Sequence, residues 1–146
     1  MSDQVQHIVC PSCGALNRVP RGKAADAGKC GRCHEALFTQ APIDVTEAAF
    51  GRHVSANDIP VVVDFWAPWC GPCRAMAPAY ARAAVELEPQ ARLLKLNTQD
   101  YPGVAERFGI RGIPTLMVFR HGRKAAEISG AMEAGRLVRW VRSQLH

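Results

Sequence analysis

An apolar, β-branched run from Ile59 to Trp66 empties through Ala67-Pro68-Trp69 into Cys70-Gly71-Pro72-Cys73, and a helical pattern begins directly behind the pair. The run reads as a buried strand. Met76, Ala79, Tyr80, Ala83, Ala84 and Leu87 keep the spacing of one buried helical face from Cys73 to about Leu87, with Pro78 expected to kink the axis. A Cys-x-x-Cys pair at such a junction is chemically constrained. The amides and dipole of a helix N-terminus favour the thiolate over the thiol. The thiolate attacks disulfides, and a second cysteine in the same turn can resolve the mixed intermediate. Cys70 therefore reads as the nucleophile, nearer solvent, and Cys73 as the more buried resolving thiol. The alternative, a pair of metal ligands, would need two further ligands nearby.

The rest of the C-terminal hundred residues extends the same layered pattern. Thr46, with Glu47 close behind, opens a short helix through about His53. Arg92 to Asn97 reads as the next strand and Pro102 to Phe108 as a short helix. Thr115 to Phe119 and Lys124 to Ser129, joined near His121-Gly122, form a hairpin. Leu137, Val138, Val141 and Leu145 then stripe a terminal helix. This order predicts an α/β domain with a mixed central sheet covered on both faces.

The first 40 residues differ in kind. They hold glycines, few large apolar side chains and two further pairs, Cys10-Pro11-Ser12-Cys13 and Cys30-Gly31-Arg32-Cys33. Such a segment buries little core and needs a metal or a docking surface to order it. The spacing C-x2-C-x16-C-x2-C supplies four thiolates in two knuckles, a closed tetrahedral shell for one structural Zn2+ with no open position for water. Two disulfides or a second dithiol site are the alternatives, and His34, beside Cys33, is a substitute ligand. Composition shifts between Thr39 and Asp44, with Pro42 in the linker, dividing the chain into a zinc module over 1–40 and a redox domain over 41–146.

No apolar run approaches the roughly 20 residues of a membrane span. The polar start, Met1 to His7, lacks a basic region followed by an apolar stretch, so cytoplasm is the expected compartment. The net charge of +5 raises nucleic acid as a partner, but the cations are scattered: Arg18, Arg21 and Lys23, then Arg120 to Lys124, then Arg136, Arg139 and Arg142. Scattered cations read as a solvated surface, so nucleic acid is not expected.

Two charged residues break apolar strands. Asp64 interrupts Val61-Val62-Val63-Asp64-Phe65-Trp66, where a carboxylate is costly unless it is paired or takes up a proton. Lys95 interrupts Leu93-Leu94-Lys95-Leu96. An aspartate facing the edge or water, and a lysine on the solvent side of an alternating strand, remain possible readings at this level.

The segment Trp66-Ala67-Pro68-Trp69-Cys70-Gly71-Pro72-Cys73 resembles the active-site motif of the thioredoxin family. Phe108-Gly109-Ile110-Arg111-Gly112-Ile113-Pro114-Thr115 resembles that family's cis-proline segment, and Ser129-Gly130-Ala131 its last strand and turn. The likeness runs in order from about Ile43 to the C-terminus, and with the N-terminal cysteines the chain is similar to the family's zinc-containing thioredoxin-2 type. The resemblance implies a thioredoxin fold preceded by a zinc-ribbon-like module. It implies that Asp64 lies beneath Cys73 and assists its proton transfer, with Lys95 beside the carboxylate. It implies a cis bond before Pro114, which faces the cysteines, excludes metal and exposes the Ile113 backbone to extended substrate. Trp69, Gly71, Pro72 and Gly130 complete the implied substrate face, while Trp66 packs beneath it. Gly71-Pro72 between the cysteines goes, by resemblance, with reducing members.

The expected function is therefore protein-disulfide reduction. Disulfide-containing proteins would be the substrates, and an NADPH-dependent thioredoxin reductase the source of electrons. Two rivals differ in kind. A disulfide oxidase or isomerase would need an oxidising compartment and usually carries histidine between the cysteines. A zinc-dependent binding or chaperone module would use thiol chemistry only as a switch.

Overall fold

The computed structural model describes residues 5–21 and 28–145. Two strands, β1 (Val5–Val9) and β2 (Leu16–Pro20), form a separate antiparallel ribbon. The chain then enters a five-stranded sheet through β3 (Ile43–Asp44), α1 (Glu47–Ala56), β4 (Val61–Trp66) and α2 (Gly71–Leu87). It completes the sheet with β5 (Arg92–Asn97), α3 (Pro102–Arg107), β6 (Thr115–Arg120), β7 (Arg123–Ser129) and α4 (Ala134–Ser143). Strand order is β3-β5-β4-β6-β7, with β3, β5 and β4 parallel and β6 and β7 antiparallel. The mixed, doubly covered sheet is the architecture expected from the sequence.

Strand alternation sorts the core into two layers. Val62, Leu93, Leu116 and Val118 face one side and pack with Met76, Tyr80, Ala83, Ala84 and Leu87 of α2 and Leu137, Val138 and Val141 of α4. Their strand neighbours Val61, Val63, Phe65, Leu94, Leu96, Met117 and Phe119 face the other side, under Phe50 of α1 and Val104 of α3. Phe50 makes edge-on contacts with Phe65, Phe108 and Phe119 at centroid separations of 5.7–6.0 Å. Because side chains alternate, Asp64 shares its side with Val62, the side that α2 covers. The sheet thus places a carboxylate under the helix that begins with the cysteine pair.

Local rules set the ends of these elements. Thr46 caps α1 by accepting the Ala49 amide at 3.1 Å. The β6–β7 turn uses His121 at φ 52° and Gly122 at φ 81°, the left-handed pair that a tight hairpin requires. Helix α2 begins at Gly71, two residues before the expected start, with Pro72 in its first turn, where a missing N–H costs nothing. Pro78 lies exposed within it. The β1–β2 ribbon and the short β3 were not expected from sequence.

Candidate redox and metal sites

Cys70 is the N-cap residue of α2 and Cys73 lies in its first turn. The two form a disulfide with a Cα separation of 5.2 Å. The Cys73 amide donates to the Cys70 sulfur at 3.2 Å, so the cap itself is a sulfur atom. On reduction that amide and the helix dipole face a thiolate, the charge state they favour. Both cysteines are buried, at 5% exposure for Cys70 and 2% for Cys73. The expected order is therefore right, yet Cys70 sits deeper than a residue at an open turn would.

The wall opposite is the Ile113 carbonyl, 3.7 Å from the Cys70 sulfur. The Ile113–Pro114 bond is cis, as the resemblance implied. The Pro114 carbonyl accepts the Gly130 amide at 2.9 Å, tying the end of β7 to this wall. Gly130 has φ 101°, a conformation that requires glycine, although a Cβ there would meet only open space. Trp69, at 69% exposure, Gly71 and Pro72 are exposed beside the pair, while Trp66 and Ile113 pack against the cysteines.

Asp64 is 1% exposed, and its Oδ1 has no hydrogen-bond partner. Burial lifts its carboxyl to about 7, opposed only by the charge of Lys95. Lys95 is its register partner on β5, yet the lysine ammonium lies over the Trp66 ring, 4.6 Å from the centroid. The pair is thus coupled through space rather than by a formed ion pair. A buried carboxyl that titrates near neutrality can hold or release a proton at physiological pH.

The remaining four cysteines form a cluster of their own in the N-terminal segment. The ligand atoms of Cys10, Cys13, Cys30 and Cys33 all lie within 4.8 Å of one another. Cys10 approaches Cys33, and Cys13 approaches Cys30, each at 3.6 Å. Four sulfurs placed about 2.3 Å from a zinc ion define a tetrahedron with edges of about 3.8 Å, so the cluster fits that ion. The two knuckles repeat one geometry. Cys10 and Cys30 accept at sulfur from the Ser12 and Arg32 amides, both at 3.3 Å, and at their carbonyls from Gly14 and His34. Gly14 (φ 78°) and His34 (φ 68°) occupy the same left-handed turn position, so His34 closes a knuckle and stands outside the ligand cluster. All four cysteines are free thiols, not disulfides.

The surroundings treat these thiols unequally. The Cys33 amide, then the Asn17 side chain, lower the Cys30 thiol to about 5 against the effect of burial. Although the Glu35 amide lowers Cys33, burial and its three cysteine neighbours push that thiol up to about 12. One thiolate is thus favoured and accumulation of several is resisted, a conflict that a divalent ion relieves. Asn17 was not singled out from sequence. It donates to the Cys30 sulfur at 3.4 Å and accepts from the Gly31 amide at 2.9 Å, and nothing in Leu16-Asn17-Arg18 signals that role.

Among the described residues no helix is long and apolar enough to cross a membrane. A family model described as Thioredoxin matches residues 41–143, and one described as Thioredoxin 2, N-terminal, matches residues 9–35. The chain is 43% identical over 138 residues to "Thioredoxin C-3" of Corynebacterium nephridii, covering 94% of each chain. It is 47% identical over 92 residues to "Thioredoxin 1" of a Nostoc species, covering 63% of this chain and 86% of the relative. A mutant thioredoxin from Halobacterium salinarum has a similar solved structure, with a TM-score of 0.66 at 28% identity, covering 75% of this chain and 95% of the other.

Proposed function

The chain belongs to the thioredoxin family of thiol–disulfide oxidoreductases, and from that premise we propose that it is a protein-disulfide reductase carrying a structural zinc module. The observation that carries this reading is the Cys70–Cys73 pair at the start of α2, its N-cap sulfur between the Cys73 amide and the Ile113 carbonyl. Reduced Cys70, held as thiolate by the helix terminus, attacks one sulfur of a substrate disulfide. A Cys70–substrate bond forms, and the other substrate sulfur leaves as thiolate. Cys73 then gives up its proton, attacks the Cys70 sulfur and releases the second substrate thiol. Asp64, whose carboxyl titrates at about 7, is the group assigned to that proton, with Lys95 biasing its charge. The product Cys70–Cys73 disulfide is returned to the dithiol by an NADPH-dependent thioredoxin reductase.

Trp69, Gly71, Pro72, Ile113, Pro114 and Gly130 form the proposed substrate face. The Ile113 carbonyl offers an extended peptide one backbone acceptor beside the reactive sulfur. Cys10, Cys13, Cys30 and Cys33 would hold one Zn2+, which supplies folding energy to residues 1–40 and no catalytic step. Residues 41–146 form the catalytic domain, and the cytoplasm is the proposed compartment. Gly71-Pro72, with no histidine between the cysteines, favours reduction over oxidation or isomerisation. Insulin reduction driven by NADPH and thioredoxin reductase tests the assignment. Cys70→Ser is expected to abolish turnover, and full activity in that variant would overturn it.

A further inference from the structure

Arg92, the first residue of β5, is 0% exposed, and Glu88, four residues earlier, has an equally buried side chain. An arginine in a protein interior must find acceptors for its guanidinium. Here Nη2 donates to the Leu37 carbonyl at 2.8 Å and to the Val9 carbonyl at 3.1 Å. Nε and Nη1 make no hydrogen bond; Nη1 only approaches Glu88 at 3.5 Å. Both acceptors belong to the N-terminal module. Val9 immediately precedes Cys10, and Leu37 lies four residues after Cys33, so one guanidinium bridges the entry to the first knuckle and the exit from the second. The Phe38 ring completes the enclosure, its centroid 4.5 Å from the guanidinium carbon.

Neighbouring contacts pin the same strand. The Asn57 side chain, at the end of α1, accepts the Val9 amide at 2.8 Å and bonds His53 at 2.9 Å. Glu88 accepts the Gln40 amide at 2.9 Å, fastening the linker behind the module. Ile8, Cys10, Val19, Cys30, Leu37 and Phe38 pack around Ile59 of the redox domain. A charged group whose hydrogen-bond acceptors all lie in the other domain is satisfied only while that domain is docked.

We propose that Arg92 is a positioning residue of the metal site, supplied by the redox domain, and that it couples metal loading to the order of β5. The inference rests on the four-cysteine zinc assignment above. A module of this size has little core of its own, so without metal the knuckles lose their closure and the two carbonyls leave Arg92. Linkage then runs both ways: docking strengthens metal binding, and metal stabilises the docked β5.

The test is zinc competition on the full reduced chain against a chromophoric chelator, comparing wild type with Glu88→Gln/Arg92→Met. The double variant removes both buried charges together and keeps an acceptor for Gln40. We expect zinc affinity to fall at least about tenfold, equivalent to about 1.4 kcal/mol, with Arg92→Lys intermediate. Hydrogen exchange on the wild-type chain with and without zinc provides a reading that needs no variant. Loss of zinc should speed exchange over 88–94 about tenfold or more while 64–73 stays unchanged. A variant affinity within about twofold of wild type, or unchanged protection over 88–94, overturns the proposal. If wild type itself holds less than about half a zinc per chain, the metal assignment fails instead.

Discussion

Replacing Asp64 with asparagine should change how stability depends on pH, by an amount that follows from the burial of one carboxyl. In the folded protein that carboxyl is raised from 3.8 to about 7 by desolvation, only partly offset by Lys95. At about 1.4 kcal/mol per unit, the ionised form therefore costs the fold about 4 kcal/mol. Between these two values the folded state holds a proton that the unfolded chain has lost. The contribution of Asp64 to stability is thus greatest below about pH 4, falls as pH rises towards 7, and levels off above. His53 acts in the opposite sense: burial, then the charges of Arg92 and Arg52, lower it to about 3, so the fold loses stability as pH falls below about 6.5. The two slopes offset in the wild type, which is why the comparison between proteins is informative and the wild-type curve alone is not. The assay is urea unfolding of oxidised wild type and Asp64→Asn from about pH 5 to about pH 9. Asparagine keeps the shape and carries no charge, so its own packing cost is the same at every pH. The variant should gain about 3 kcal/mol on the wild type across that range. Parallel curves, differing by less than about 1 kcal/mol in their change, would show that Asp64 is not a proton-holding buried carboxyl.

Other outcomes are expected from the same geometry. His53→Gln should flatten the acid limb, improving stability at about pH 5 relative to pH 7.5 by about 2 kcal/mol in the same unfolding assay. Phe50→Ala, which empties the centre of the aromatic cluster, should cost about 3–5 kcal/mol by denaturant midpoint without changing zinc content. Gly130→Val should raise KM for protein disulfides more than it lowers kcat, because φ 101° is strained for a β-branched residue beside the Ile113–Pro114 wall; steady-state insulin reduction checks this. Stripping metal with a chelator should free four titratable thiols in the reduced protein beyond the Cys70–Cys73 pair, and a thiol count with and without zinc reads it directly.

Much of the fold is local in origin and so was legible along the chain. The run into Cys70, the helical face behind Cys73 and the His121-Gly122 turn each declare themselves within a few residues. Asp64 stood out because it breaks an apolar run, and its burial under α2 follows from strand alternation with Val62. Arg92 gave no such signal. It heads β5, where a charged residue ordinarily meets water, and only docking of a segment more than fifty residues away makes it interior. The β1–β2 ribbon was missed for a related reason: its short strands carry too little alternation, and the cysteine knuckles, not strand propensity, set their register. The placement of the cysteine pair at a helix start was itself legible, and only the bound differs: Cys70 caps a helix that begins at Gly71 rather than at Cys73.

The central claim is that Cys70 is the sulfur that attacks substrate. Incubating reduced Cys73→Ser chain with a disulfide-containing protein, then locating the adduct by mass spectrometry without reductant, tests it in one step. A stable mixed disulfide at Cys70, with Cys10, Cys13, Cys30 and Cys33 unmodified and zinc retained, is the expected result. No adduct, or one formed on the metal cysteines, would contradict it.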